Sequence, residues 1–157
     1  MSHDIPTIPQ DDPAETILAA LAHGMTGHPE KAAPLFEPFI HGGHATTLGL
    51  CAALAEATVR TGLQTLPKNT AFGLLVVDPT TGKQGNVNDF PAGVRFAAQF
   101  TAAWANRDRD MAGDLFDALV SPGTDEAAEA LADGIRALYD MAVASLRHKA
   151  RQTDSDL

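Results

Sequence analysis

Ala71-Phe-Gly-Leu-Leu-Val-Val-Asp-Pro-Thr-Thr-Gly-Lys-Gln-Gly-Asn-Val-Asn88 is the stretch on which the reading of the fold turns. Phe72 to Val77 is the one sustained run of β-type residues in the chain. Asp78-Pro79-Thr80-Thr81-Gly82 then supplies turn chemistry: Pro79 presets φ, Asp78 can bond the backbone two residues on, and Gly82 tolerates positive φ. Lys83 to Asn88 is the expected return strand of a hairpin. The first strand is apolar on both faces, so the pattern predicts that it is covered on both sides. A lone hairpin is marginal in water and needs helices, or strands of a second copy, packed on it.

Outward from this stretch the chain reads as helix. The predicted fold is mainly α, with about six helices in two three-helix halves around one central β-hairpin at residues 71–88. Residues 1–12 read as an extended arm, 13–150 as a single helical domain and 151–157 as a polar tail. Asp12, Pro13 and Glu15 form a helix start of capping-box type, followed by the stripe Ile17, Leu18, Leu21 and Met25. A second helix from Pro29 to Ile40 must be interrupted by Pro34 and Pro38. A third, Ala45 to Thr61, has Thr46 or Thr47 as a candidate cap and Leu50, Cys51, Leu54 and Thr58 on one face. Gly62 and Leu63 read as its C-terminal stop. A fourth opens after Pro91, with Phe96, Phe100 and Ala103 inward and Trp104 beside them. Asp108 is the expected N-cap of a fifth, with Met111, Leu115, Phe116 and Leu119 inward, and Thr124 that of a long sixth. The stripe of the sixth is Ala128, Leu131, Ile135, Leu138 and Ala142, with Asp125 and Glu126 at its positive end. Arg147, His148, Lys149 and Arg151 near its other end complement the dipole.

Lys31–Ile40 and Met111–Val120 resemble each other at a constant offset of 80 (112 − 32), with Ala, Leu and Phe coincident. The shared Ala-x-x-x-Phe spacing, reached through a short polar turn, resembles the second helix of a tetratricopeptide-type hairpin. The likeness covers those short segments alone; the aromatic and small residues of that family do not line up in the preceding helix.

Composition narrows the functions. A formal charge of −9 would repel nucleic acid and anionic membranes. The single Cys51 excludes a disulfide framework and suits a reducing cytoplasm. No apolar run approaches the ~20 residues of a membrane span, and residues 1–10 carry no basic-then-apolar signal pattern. Abundant alanine is associated with GC-rich bacterial coding sequence, so a small, acidic, cytoplasmic bacterial protein is the expectation.

Two groups of residues could carry chemistry. His23, His28, His41 and His44 cluster in sequence, and imidazole suits a divalent transition metal such as zinc, nickel or copper. Neither close pair has the i, i+4 spacing of a zinc-binding helix. Asn86, Asn88, Asp89, Arg95 and Trp104 mark a second candidate, where the hairpin meets the fourth helix. Trp104 would line a pocket there and Arg95 would pair with Asp89. Ser2, Ser121, Ser145 and Ser155 lie in no nucleophile elbow, and Cys51 sits among apolar residues of a helix. No acid–base arrangement stands out, and no cofactor is called for. The sequence therefore favours a non-enzymatic module that self-associates as a homodimer or binds another protein, with the hairpin edge or the sixth helix as interface. The alternative is metal or small-ligand binding at one of the two groups.

Overall fold

A computed structural model describes residues 13–63 and 90–155. It holds six α-helices: α1 (Pro13–Met25), α2 (Ala33–His41), α3 (His44–Leu63), α4 (Ala92–Ala105), α5 (Arg109–Val120) and α6 (Asp125–Ser155). A 3-10 turn, Pro29–Lys31, precedes α2. The central hairpin is corrected by this architecture. Among the described residues there is no strand or sheet, and the core is built from helical stripes alone. A short apolar run such as Phe72–Val77 cannot be assigned by periodicity alone. Residues 71–88, like the arm at 1–12, lie outside the described residues. The dimer argument built on a free hairpin edge loses its footing with the hairpin.

The chain divides into two compact units, Met1–Ala53 and Leu54–Leu157, with the division inside α3. In the first, α1 packs against the 3-10 turn and α2. Its buried stripe is Ile17, Ala20, Leu21 and Gly24, so small residues carry half of the contact, and Leu18 is left 64% exposed. Pro34 falls in the first turn of α2, where an N–H has no helical partner anyway. Pro38 lies inside the helix and removes one donor. The threonines expected to cap α3 serve the preceding helix instead. Thr47 Oγ1 lies 3.0 Å from the Phe39 carbonyl and 2.9 Å from that of Gly43. It thereby covers carbonyls left over at the end of α2. Gly62 is not a stop, since α3 runs on through Leu63.

In the second unit α4 packs on both α5 and α6, and α5 on α6. Gly93 of α4 and Gly134 of α6 let the two helices approach closely. A Cβ on Gly93 would lie 2.6 Å from the Ala130 carbonyl oxygen and 2.8 Å from the Gly134 nitrogen. Phe96 rests on Gly134, and Phe100 and Phe116 fill the core. Asp108 caps α5 by accepting from the Met111 N–H at 3.1 Å, and Thr124 caps α6 by accepting from that of Ala127 at 3.1 Å. Met111, expected inside, is 49% exposed; Ala112 takes the buried position. On α6, Ala128 is exposed and the continuous buried stripe begins at Gly134 and Ile135.

The 80-residue offset extends well beyond the matching decapeptides. After α1, Thr26 N–H donates to the Ala22 carbonyl, Gly27 N–H to that of Gly24 and His28 N–H to that of His23. After α4, Asn106 N–H donates to Ala102, Arg107 N–H to Trp104 and Asp108 N–H to Ala103. Each is a Schellman ending, with its left-handed residue at Gly27 (φ +86) or Arg107 (φ 62). Ala32 and Ala112 are both buried, as are Phe36 and Phe116. Leu54, Ala55, Thr58 and Val59 of α3 correspond to Gly134, Ile135, Leu138 and Tyr139 of α6, and all eight are buried. The two segments thus share the backbone of their turn and the spacing of these buried residues.

Candidate anion-binding site

The aromatic residues of α4 follow one another at intervals of four, which stacks them along one face. Phe116 and Phe96 have ring centroids 6.4 Å apart, Phe96 and Phe100 5.3 Å, and Phe100 and Trp104 6.1 Å. The last pair is parallel to within 9°. This ladder runs from the core to the end of α4, where Trp104 is half-buried.

Around Trp104 lies an open concavity of about 470 Å³, lined by Glu56, Val59, Arg60, Trp104, Ala105, Arg107 and Arg109. That volume falls within the roughly 300–1,000 Å³ usual for ligand pockets. The indole Nε1–H donates to Glu56 Oε2 at 2.7 Å, which fixes the ring against α3. Arg60, one turn on from Glu56, approaches Glu56 Oε1 through Nη2 at 3.5 Å. The Arg109 guanidinium carbon lies 5.3 Å from the centre of the Trp104 ring, within cation–π range. Arg107 projects from the turn between α4 and α5. Among the described residues, neither Arg107 nor Arg109 has a carboxylate partner. Asp108 and Asp110 alternate with them in sequence but do not line the concavity, and Asp108 is engaged as the cap of α5.

Three of the chain's 11 lysines and arginines thus meet one carboxylate in a protein of net charge −9. The position of Arg107 adds a second signal. A left-handed conformation costs a residue with a Cβ about 1–2 kcal/mol, and glycine escapes that cost. The equivalent turn after α1 uses glycine, at Gly27. Strain of this kind persists at functional positions.

The residues singled out from sequence meet a mixed outcome. Trp104 lines the concavity. Arg95 precedes it by nine residues on α4, about 14 Å along the axis at 1.5 Å per residue, and does not line it. Asp89, Asn86 and Asn88 lie outside the described residues. His23 is near the end of α1, His28 precedes the 3-10 turn without a side-chain cap bond, His41 ends α2 and His44 begins α3. His28 Nδ1 sits 3.3 Å from Glu30 Oε1, an exposed contact of small energetic weight. Among the described residues no three His, Cys, Asp or Glu side chains are grouped so as to hold a metal. Cys51 is fully buried, and loss of solvation pushes its thiol up to about 12, which leaves it unreactive at neutral pH.

Sequence reasoning missed Glu56, Arg60, Arg107 and Arg109. The i, i+4 spacing of Glu56 and Arg60 was available as a signal. Their meeting with Trp104, 48 residues away from Glu56, was not. Compared with protein-family models, curated proteins and solved structures, the chain matches none. No helix among the described residues is long and apolar enough to cross a membrane.

Proposed function

We infer that this protein is a non-enzymatic binding module that takes an acidic segment of another protein at Trp104. The observation that carries this reading is the excess of guanidinium groups around one ordered indole, in a chain that is otherwise acidic. Arginine suits the task because its planar fork pairs with carboxylate and phosphate and also stacks on aromatic faces. Val59 and Ala105 offer apolar contact beside the charges. An open concavity suits a side chain or chain terminus of a partner better than an enclosed small molecule. The unpaired, buried Cys51 is compatible with a reducing, cytoplasmic setting.

Trp104 is the sole tryptophan, so its fluorescence reports on this site alone. Titration with a glutamate-rich peptide should change that emission, and the affinity should fall with added salt, as for exposed charges. The double variant Arg107→Glu, Arg109→Glu should lose the response while keeping its helical circular dichroism. Unchanged emission across millimolar peptide would refute the reading.

A further inference from the structure

We propose that the group held at Trp104 is a phosphoryl dianion on the bound segment, with Arg107 as the residue that sets this preference. The inference rests on the acidic-segment reading and deepens it. Glu56 offsets Arg60, which leaves Arg107 and Arg109, two positions apart in sequence, with no carboxylate partner among the described residues. A single carboxylate can bond both, but brings one negative charge against their two. Two carboxylates answer both, but must be brought together against their own repulsion. A phosphorylated side chain carries about −1.5 to −2 charge on one group with three acceptor oxygens, which meets both arginines at once.

The internal repeat supplies the control. The turns after α1 and α4 have the same backbone hydrogen bonds and the same left-handed position. The first carries Gly24, Gly27 and Pro29 where the second carries Trp104, Arg107 and Arg109. The indole and two of the three guanidinium groups of the site come from the second turn and its flanks, and Gly24, Gly27 and Pro29 show that the turn forms without them. Arg107 occupies the position where glycine is the cheaper residue. Arg109 is held over the indole before any ligand arrives, which lowers the ordering cost of binding. Glu56, which keeps the indole in place, leaves Trp104 as a flat wall beside the two charges.

The test uses three peptides of one sequence, differing only in a central phosphoserine, glutamate or serine, with the full chain and Trp104 emission and calorimetry as readouts. The phosphoserine peptide should bind at least tenfold more tightly than the glutamate peptide, the serine peptide should be silent, and inorganic phosphate should compete. Arg107→Gly should reduce the phosphoserine preference to threefold or less with the melting temperature unchanged or raised, because Gly27 shows the turn to be sound with glycine. Arg109→Ala gives an independent variant should Arg107→Gly fold poorly, and should weaken the phosphoserine peptide by tenfold or more. Equal affinity for the phosphoserine and glutamate peptides would overturn the phosphoryl assignment and leave the acidic-segment reading standing. No response to either peptide would overturn both. Retention of the preference in Arg107→Gly would remove Arg107 from its assigned role.

Discussion

The turn after α1 and the turn after α4 share their hydrogen bonds, their left-handed position and the buried Ala and Phe that come after them, yet differ in what they present to solvent. The first is made as economically as the motif permits, with Gly27 in the left-handed position and Pro29 opening the next turn. The second places Arg107 where glycine would cost less and Arg109 over an indole. It also has the stronger cap, since the Asp108 carboxylate accepts from Met111 whereas His28 makes no side-chain cap bond. Beneath it, Phe96, Phe100 and Trp104 stand where α1 has Thr16, Ala20 and Gly24. The difference separates what the backbone plan requires from what has been added to it. Small residues suffice for the plan; aromatic and cationic residues mark the site.

The largest expected effect tests whether the two copies are equivalent in their cores. Phe116→Ala should cost about 3–5 kcal/mol, the usual range for a buried phenylalanine. Phe36→Ala should fall toward the lower end of that range, since Phe36 is 6% exposed against 1% for Phe116. Chemical denaturation measures both, and a silent Phe36→Ala would break the equivalence.

Gly93→Ala should come next, at about 1–3 kcal/mol, because the added methyl meets backbone of α6 and cannot be relieved by a rotamer change. The position equivalent to Gly93 is Pro13, exposed at the start of α1. Substituting alanine there should be nearly neutral, so thermal melts of the pair show which half depends on a close helix crossing.

A reciprocal exchange addresses the turns themselves. Gly27→Arg should destabilise by about 1–2 kcal/mol and Arg107→Gly should stabilise by up to about 1 kcal/mol, from the same left-handed cost read in both directions. If Arg107→Gly is destabilising instead, Arg107 contributes to the fold and its position is no sign of function.

The smallest effect lies in the caps. Asp108→Ala should cost about 1 kcal/mol as a lost N-cap bond. His28→Ala should change stability little, because the exposed contact to Glu30 is worth little. Equal losses at the two positions would mean that the difference in capping has no energetic content.

Local rules made the helices legible. Pro13, Asp108 and Thr124 carry their start signals in residue type, and the structure places a helix beginning at or just after each. The stripe of α6 from Ile135 onward followed from spacing, and the likeness of the two decapeptides pointed to the repeat. What was not legible depended on contacts between distant residues. Thr46 and Thr47 have the right chemistry for an N-cap, but the ends of α2 and α3 meet so closely that the carbonyls of α2 claim Thr47. Leu18 and Met111 satisfied a helical stripe by hydrophobicity, while Ala20 and Ala112 won the interior because close helix packing favours small side chains. The hairpin expectation rests on a short apolar run, turn residues and a polar return segment, and periodicity alone does not tell such a run from a buried helical segment. Trp104 carries its signal in residue type, but its partners come from another helix and from the turn ahead of α5, which sequence spacing does not bring to it.

The second turn should bind an anion that the first does not. The direct measurement is a titration of isotope-labelled protein with the phosphoserine peptide, followed by nuclear magnetic resonance of backbone, indole and arginine side-chain N–H groups. Saturable shifts are expected at the Trp104 indole and across residues 104–109, with none at residues 24–29. Shifts of equal size at both turns, or an unmoved Trp104 indole, would contradict this expectation.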